Sequence, residues 1–133
     1  MDLHTLRDRR DRIDSLKERI ERLRSAMELG DRQLKLAPAR TAVRNKLEED
    51  MAKLDELERE LVGEVAALEQ DAQDAEELLD GLPVREQRIM RLRYVEGMSW
   101  RKVARKAHYS QQHCFRIHGA ALKIIDPEKY ESK

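Results

Sequence analysis

The chain has a single cysteine in 133 residues, so an internal disulfide is excluded and a reducing compartment is expected. Aromatic residues make up only 4%, while charged residues make up 41%. That balance favours long exposed helices over one thick core. Three prolines and five glycines leave few places where helices can break. No apolar run approaches the roughly 20 residues of a membrane span. The Met-Asp-Leu-His start lacks the layout of a signal peptide, so the expectation is a cytoplasmic protein without membrane association. There is also no Gly-rich phosphate loop and no nucleophile set beside a base. Neither an enzyme nor a cofactor is expected.

Net charge is absent as well, at zero, but this hides a strong segregation. Residues 1–46 hold 13 Lys/Arg against 8 Asp/Glu, net +5. Residues 47–80 hold 2 against 14, net −12, and residues 81–133 hold 12 against 5, net +7. A basic C-terminal third suits phosphate binding. The acidic middle has to project away from any polyanion or pair with basic surface.

In the first segment Leu6, Ile13, Leu16, Ile20, Leu23, Met27 and Leu34 fall on alternating steps of three and four. Arg9 and Gly30 occupy the two remaining slots. This heptad predicts a helix packed on another helix. Gly30 to Arg40 reads as the break, because Gly30 can end a helix and Pro38 cannot sit inside one. The first helix is then expected over Leu3 to Leu29, about 40 Å, and a second over Thr41 to Leu79, about 58 Å. The second seam reads as Leu47, Met51, Leu54, Leu61, Val65, Leu68, Ala72, Ala75 and Leu79, with Glu58 interrupting and Leu57 shifting the stripe. A basic first helix and an acidic second one predict an antiparallel hairpin. The excess apolar residues from Val65 to Leu79 need cover from the C-terminal domain or from a second chain.

Asp80-Gly81 reads as a hinge. The expected division is a charged helical hairpin over 1–80, a compact helical domain over 81–126 and a loose tail over 127–133. Within the domain, Leu82-Pro83 opens a segment running to Tyr94, with Ile89 and Leu92 inward. Gly97 is free to take positive φ. Ser99 caps a short helix from Trp100 to Ala107, with Val103, Ala104 and Ala107 inward. His108-Tyr109 is the turn, and His108 is expected at positive φ because His is among the few non-glycine residues enriched there. Ser110 caps a last helix whose inner face is Cys114, Ile117 and Ala121. Ile124 and Ile125 are expected to finish the core. Helix, short turn, helix of this size is the helix-turn-helix pattern, giving an all-α fold: a long antiparallel coiled-coil hairpin followed by a helix-turn-helix domain.

Gln111, Gln112, Phe115 and Arg116 point away from the inner face of that last helix. Gln can pair with adenine, Arg with guanine, and an apolar surface can meet a thymine methyl. The set suits reading bases in the major groove of double-stranded DNA. Arg88, Arg101, Lys102, Arg105, Lys106, Ser110, His113 and Lys123 are candidate phosphate contacts, with Arg85, Arg91 and Arg93 as further basic residues of the preceding helix. No acid occurs between Trp100 and Ile125, whereas solvated faces usually mix signs. Trp100 reads as a core or cap residue. Cys114 and His118 share a face, but a metal site needs about four ligands, and a buried cysteine replacing a small aliphatic is the simpler reading. His108, His113 and His118 are either phosphate donors when protonated or ordinary turn and surface residues.

Leu82-Pro83, Arg85-Glu86, Leu92-Arg93-Tyr94, Glu96-Gly97-Met98-Ser99, Val103-Ala104, Ser110, Arg116-Ile117 and Ala121-Leu122-Lys123 resemble the fourth region of bacterial sigma factors. The resemblance is closer to small sigma-like helix-turn-helix proteins of Gram-positive phages and prophages. It implies promoter-type recognition through the last helix, with Gln111, Gln112, Phe115 and Arg116 facing the bases, and RNA polymerase as a possible partner. Sigma factors favour Arg-Glu where Gln111-Gln112 stands here, so their promoter preference does not carry over. The expected function is a sequence-specific transcription regulator of phage origin. A DNA-recognition subunit of phage packaging and a coiled-coil adaptor are the alternatives, and the N-terminal helices are a possible homo-oligomer contact. A complete sigma factor is not expected, because the first 80 residues hold no Trp, Tyr or Phe to capture unpaired bases.

Overall fold

The structure, a computed structural model, describes residues 2–36 and 41–130. Among them every regular element is helical: α1 (His4–Leu36), α2 (Thr41–Leu79), α3 (Val84–Met90) continuing as a π-helical turn (Arg91–Val95), α4 (Trp100–Ala107), α5 (Gln111–Ile125) and α6 (Pro127–Tyr130). The chain forms two compact units. One is Arg9–Ala67; the other joins Met1–Asp8 to Leu68–Lys133.

The Arg9–Ala67 unit is an antiparallel pair of helices. Arg9 reaches Glu64, Arg24 reaches Glu58, and Gly30 faces Leu47, so positions run in opposite directions along α1 and α2. Leu16, Ile20 and Leu57 are buried between them, with Leu23, Leu54 and Leu61 packed alongside. The α1 stripe matches the heptad in the sequence. Two details differ. First, α1 does not break at Gly30 but runs to Leu36. A Cβ at Gly30 would stand 2.9 Å from Leu47 Cδ2, so the glycine allows close helix approach and does not end the helix. The expected turn at Pro38 lies outside the described residues. Second, the α2 seam of this unit follows Leu47, Asp50, Leu54, Leu57, Leu61 and Glu64. Met51 is 61% and Val65 38% exposed. Asp50 and Glu64 take seam positions because basic side chains meet them: Lys46 Nζ lies 2.7 Å from Asp50, and Arg9 Nη1 lies 2.8 Å from Glu64. Asp50 itself is buried.

The other unit has two clusters. Leu3, Leu6, Ala75, Leu79, Leu82, Met90, Tyr94 and Ala121 form one, with Leu68, Ala72, Leu78 and Ile125 packed on it. The end of α2 is therefore covered by the helix-turn-helix core itself. Ile89, Leu92, Val103, Ala104, Ala107, Cys114 and Ile117 form the second cluster. Ile125 joins the core as expected, but Ile124 remains half exposed. Pro127 opens the short α6 where a loose tail was expected, its fixed φ suiting the first residue of a helix after Asp126 has left helical geometry.

Candidate nucleic-acid interface

Three helices build the candidate site. The π-helical turn at the end of α3 closes with Glu96 N–H donating to Arg91 C=O at 3.0 Å, and Gly97 takes φ 71° beyond it. Ser99 caps α4, its Oγ accepting from Lys102 N–H at 3.3 Å. The helix ends on His108, at φ 61° and ψ 39°. His108 N–H donates to Arg105 C=O and Tyr109 N–H to Ala104 C=O, which is the paired C-terminal closure of a Schellman motif. The left-handed turn is thus made by histidine, as its residue type allowed. Ser110 then caps α5, with His113 N–H donating to its Oγ at 3.1 Å.

The faces of α5 are sharply divided. Cys114, Ile117 and Ala121 are 0–2% exposed. Gln111, Gln112, Phe115 and Arg116 are all exposed, with Phe115 at 48%. Arg101, Lys102, Arg105, Lys106 and Lys123 are exposed too, and His113 is half-buried against the edge of Tyr109. Arg88 is exposed and donates to Lys106 C=O at 3.0 Å, so it satisfies a carbonyl at the end of α4. The Ser110 hydroxyl accepts at the cap and keeps its own proton to donate.

Other basic residues of α3 and its π-helical turn are engaged within the fold. Arg91 grips Glu76 with bonds of 3.0 and 2.6 Å and lies 3.8 Å from Asp80. The hydrogen bond to Glu76 holds its pKa above the usual arginine value. Arg93 donates to Met98 C=O at 3.0 Å and stands over the Trp100 ring. Arg91 and Arg93 thus have partners within the fold.

An aromatic chain behind α5 is not marked in the sequence. Tyr94 OH lies 2.7 Å from His118 Nε2, the two rings stack, and His4 meets Tyr94 edge-on. His118 and Phe115 both stand edge-on to Trp100. Burial lowers the His118 pKa to about 4, with the charges of Arg93 and His4 adding to the effect. The ring is therefore neutral at physiological pH, and its neighbour Cys114 is raised by burial. His118 belongs to the packing, and the possible phosphate role does not extend to it. The signal available in the sequence was its spacing of one helical turn from Cys114 on the inner side of α5.

No group of three or more potential metal ligands occurs among the described residues. No helix among them is long and apolar enough to cross a membrane. Residues 78–125 match the family model described as sigma-70, region 4. The C-terminal part of the chain is thus a region 4-like helix-turn-helix domain of the DNA-binding type. Neither a curated protein nor a solved structure matches the chain.

Proposed function

We propose that the protein is a sequence-specific regulator of transcription, of phage origin and cytoplasmic, that lays α5 into the major groove of double-stranded DNA. Gln111, Gln112, Phe115 and Arg116 read base edges. Arg88, Arg101, Lys102, Arg105, Lys106, Ser110, His113 and Lys123 surround them as phosphate contacts that fix register. The functional division falls near residue 80, with residues 81–126 binding DNA and residues 1–80 offering a surface to RNA polymerase or to another copy of the chain.

The observation that supports this reading best is the exposure of two amides, one ring and one guanidinium on the first turns of a capped helix whose opposite face is fully buried. The stretch from Trp100 to Ile125 adds basic residues and no acid. Neutralising phosphates releases counterions, so binding falls steeply as salt rises.

Selection of bound sequences from random duplex DNA, followed by salt titration on the winning duplex, tests it. Enrichment of one motif with a steep salt slope supports the reading. Enrichment of no motif removes sequence recognition, and no duplex binding at moderate salt favours a protein-binding role.

A further inference from the structure

Phe115 is exposed on α5 and has an aromatic support behind it. Its ring meets that of Trp100 edge-on, with centroids 5.1 Å apart and planes at 80°. Trp100 opens α4 and is held from two further directions. His118, one turn along α5 from Phe115, stands edge-on to the same indole at 4.9 Å. The Arg93 guanidinium lies 4.8 Å from the indole centroid and is itself tied to the Met98 carbonyl. His118 is in turn fixed by the Tyr94 hydroxyl at 2.7 Å. This series of contacts ends at the surface on Phe115, which is 48% exposed.

We infer that Trp100 is a positioning residue for base recognition, holding Phe115 so that the exposed part of its ring meets the methyl group of a thymine. The inference rests on the reading of α5 as the base-reading helix. Edge-to-face geometry at these separations is a preferred arrangement of aromatic pairs, so the indole selects one Phe115 rotamer among the staggered alternatives. Thymine alone presents a methyl group in the major groove. The amides and guanidinium beside Phe115 read donors and acceptors and have no affinity for that methyl. A ring held in one place on the same helix does.

The test uses the full chain and the duplex it selects. Each thymine is replaced in turn by uracil, which lacks only the methyl group. At one position the replacement is expected to weaken wild-type binding about fourfold, the value of burying one methyl. Phe115→Ala and Trp100→Leu are expected to bring that ratio to one, with a smaller effect on binding to random duplex. Circular dichroism checks folding; if Trp100→Leu does not fold, Trp100→Phe takes its place and is expected to lower the ratio by at least half. A folded Trp100 variant with the wild-type ratio overturns the positioning role. A wild-type chain that prefers its selected duplex but ignores every thymine methyl overturns the contact and leaves base reading by Gln112 and Arg116 standing. A chain that selects no duplex removes base reading itself, and this inference with it.

Discussion

The Tyr94 hydroxyl lies 2.7 Å from Nε2 of His118, joining the last turn of the α3 segment to the middle of α5. With the histidine neutral, Nε2 can accept the phenolic proton. A second proton on the imidazole would turn that acceptor into a donor and bring a charge beside Arg93 and His4.

Acid is therefore expected to destabilise this unit through His118. Its folded pKa, lowered to about 4 from 6.5 mainly by burial, means that the folded state binds fewer protons than the unfolded chain. The resulting stability is fully present above 6.5 and is lost as pH falls toward 4. After discounting for the partly exposed ring, the loss is on the order of 1 kcal/mol. Thermal melts across that window should show a steeper fall in Tm for wild type than for His118→Gln. Parallel slopes would rule His118 out as the responsible group.

Leu6 is fully buried among Leu79, Met90, Tyr94 and Ala121, so the first residues of the chain are part of the helix-turn-helix core. Leu6→Ala is expected to cost about 2–5 kcal/mol, the range for a large-to-small change in a packed core. Hydrogen exchange should report the loss at amides of α3 and α5. Undiminished protection there would refute the placement.

The Arg9–Glu64 pair occupies seam positions on both helices at 2.8 Å, with side chains 19% and 18% exposed. Arg9→Glu sets like charges against each other and is expected to cost about 1–3 kcal/mol, less than a fully buried pair would. Adding Glu64→Arg should restore part of this. Recovery is incomplete because Arg12 also reaches Glu64, at 3.4 Å, and would then meet a like charge. A double-mutant cycle on Tm measures the coupling, and additive effects would show that the pair contributes none.

Local chemistry made the helix-turn-helix legible in the sequence. Ser99 and Ser110 are caps whatever surrounds them, His108 suits a left-handed turn, and Cys114, Ile117 and Ala121 mark one face by spacing alone. What escaped depends on distant partners. Asp50 and Glu64 look like surface residues until Lys46 and Arg9 are placed, so apolar counting chose Met51 and Val65 instead. Gly30 looked like a helix end because its close contact, Leu47, lies on the other helix. Trp100 read as a core or cap residue, and nothing in its neighbourhood along the chain pointed to Arg93, Phe115 and His118 around it.

The two helical glycines of the hairpin separate propensity from packing. Nothing lies within 4 Å of a Cβ built on Gly63, so Gly63→Ala is expected to stabilise by about 1 kcal/mol. Gly30→Ala gains the same propensity but drives its methyl to 2.9 Å from Leu47 Cδ2 and 3.3 Å from Cγ. The half-buried Leu47 side chain has to shift to admit that methyl, so a smaller net gain is expected. Denaturant midpoints of the two variants should differ, with Gly63→Ala the higher. Equal gains would mean that Leu47 yields freely.

Arg116 and Lys106 lie on different helices and should fail differently. Arg116→Ala removes a group that can pair bidentately with guanine, and is expected to cost about 1–3 kcal/mol on the selected duplex while relaxing preference at one base pair. Lys106→Ala removes a point charge, weakening selected and random duplexes alike and reducing the salt slope by about one. Binding titrations of both variants on both duplexes at several salt concentrations distinguish the two roles. If Arg116→Ala weakens selected and random duplexes by the same factor, its guanidinium contacts phosphate, and the recognition surface must be sought among Gln111, Gln112 and Phe115.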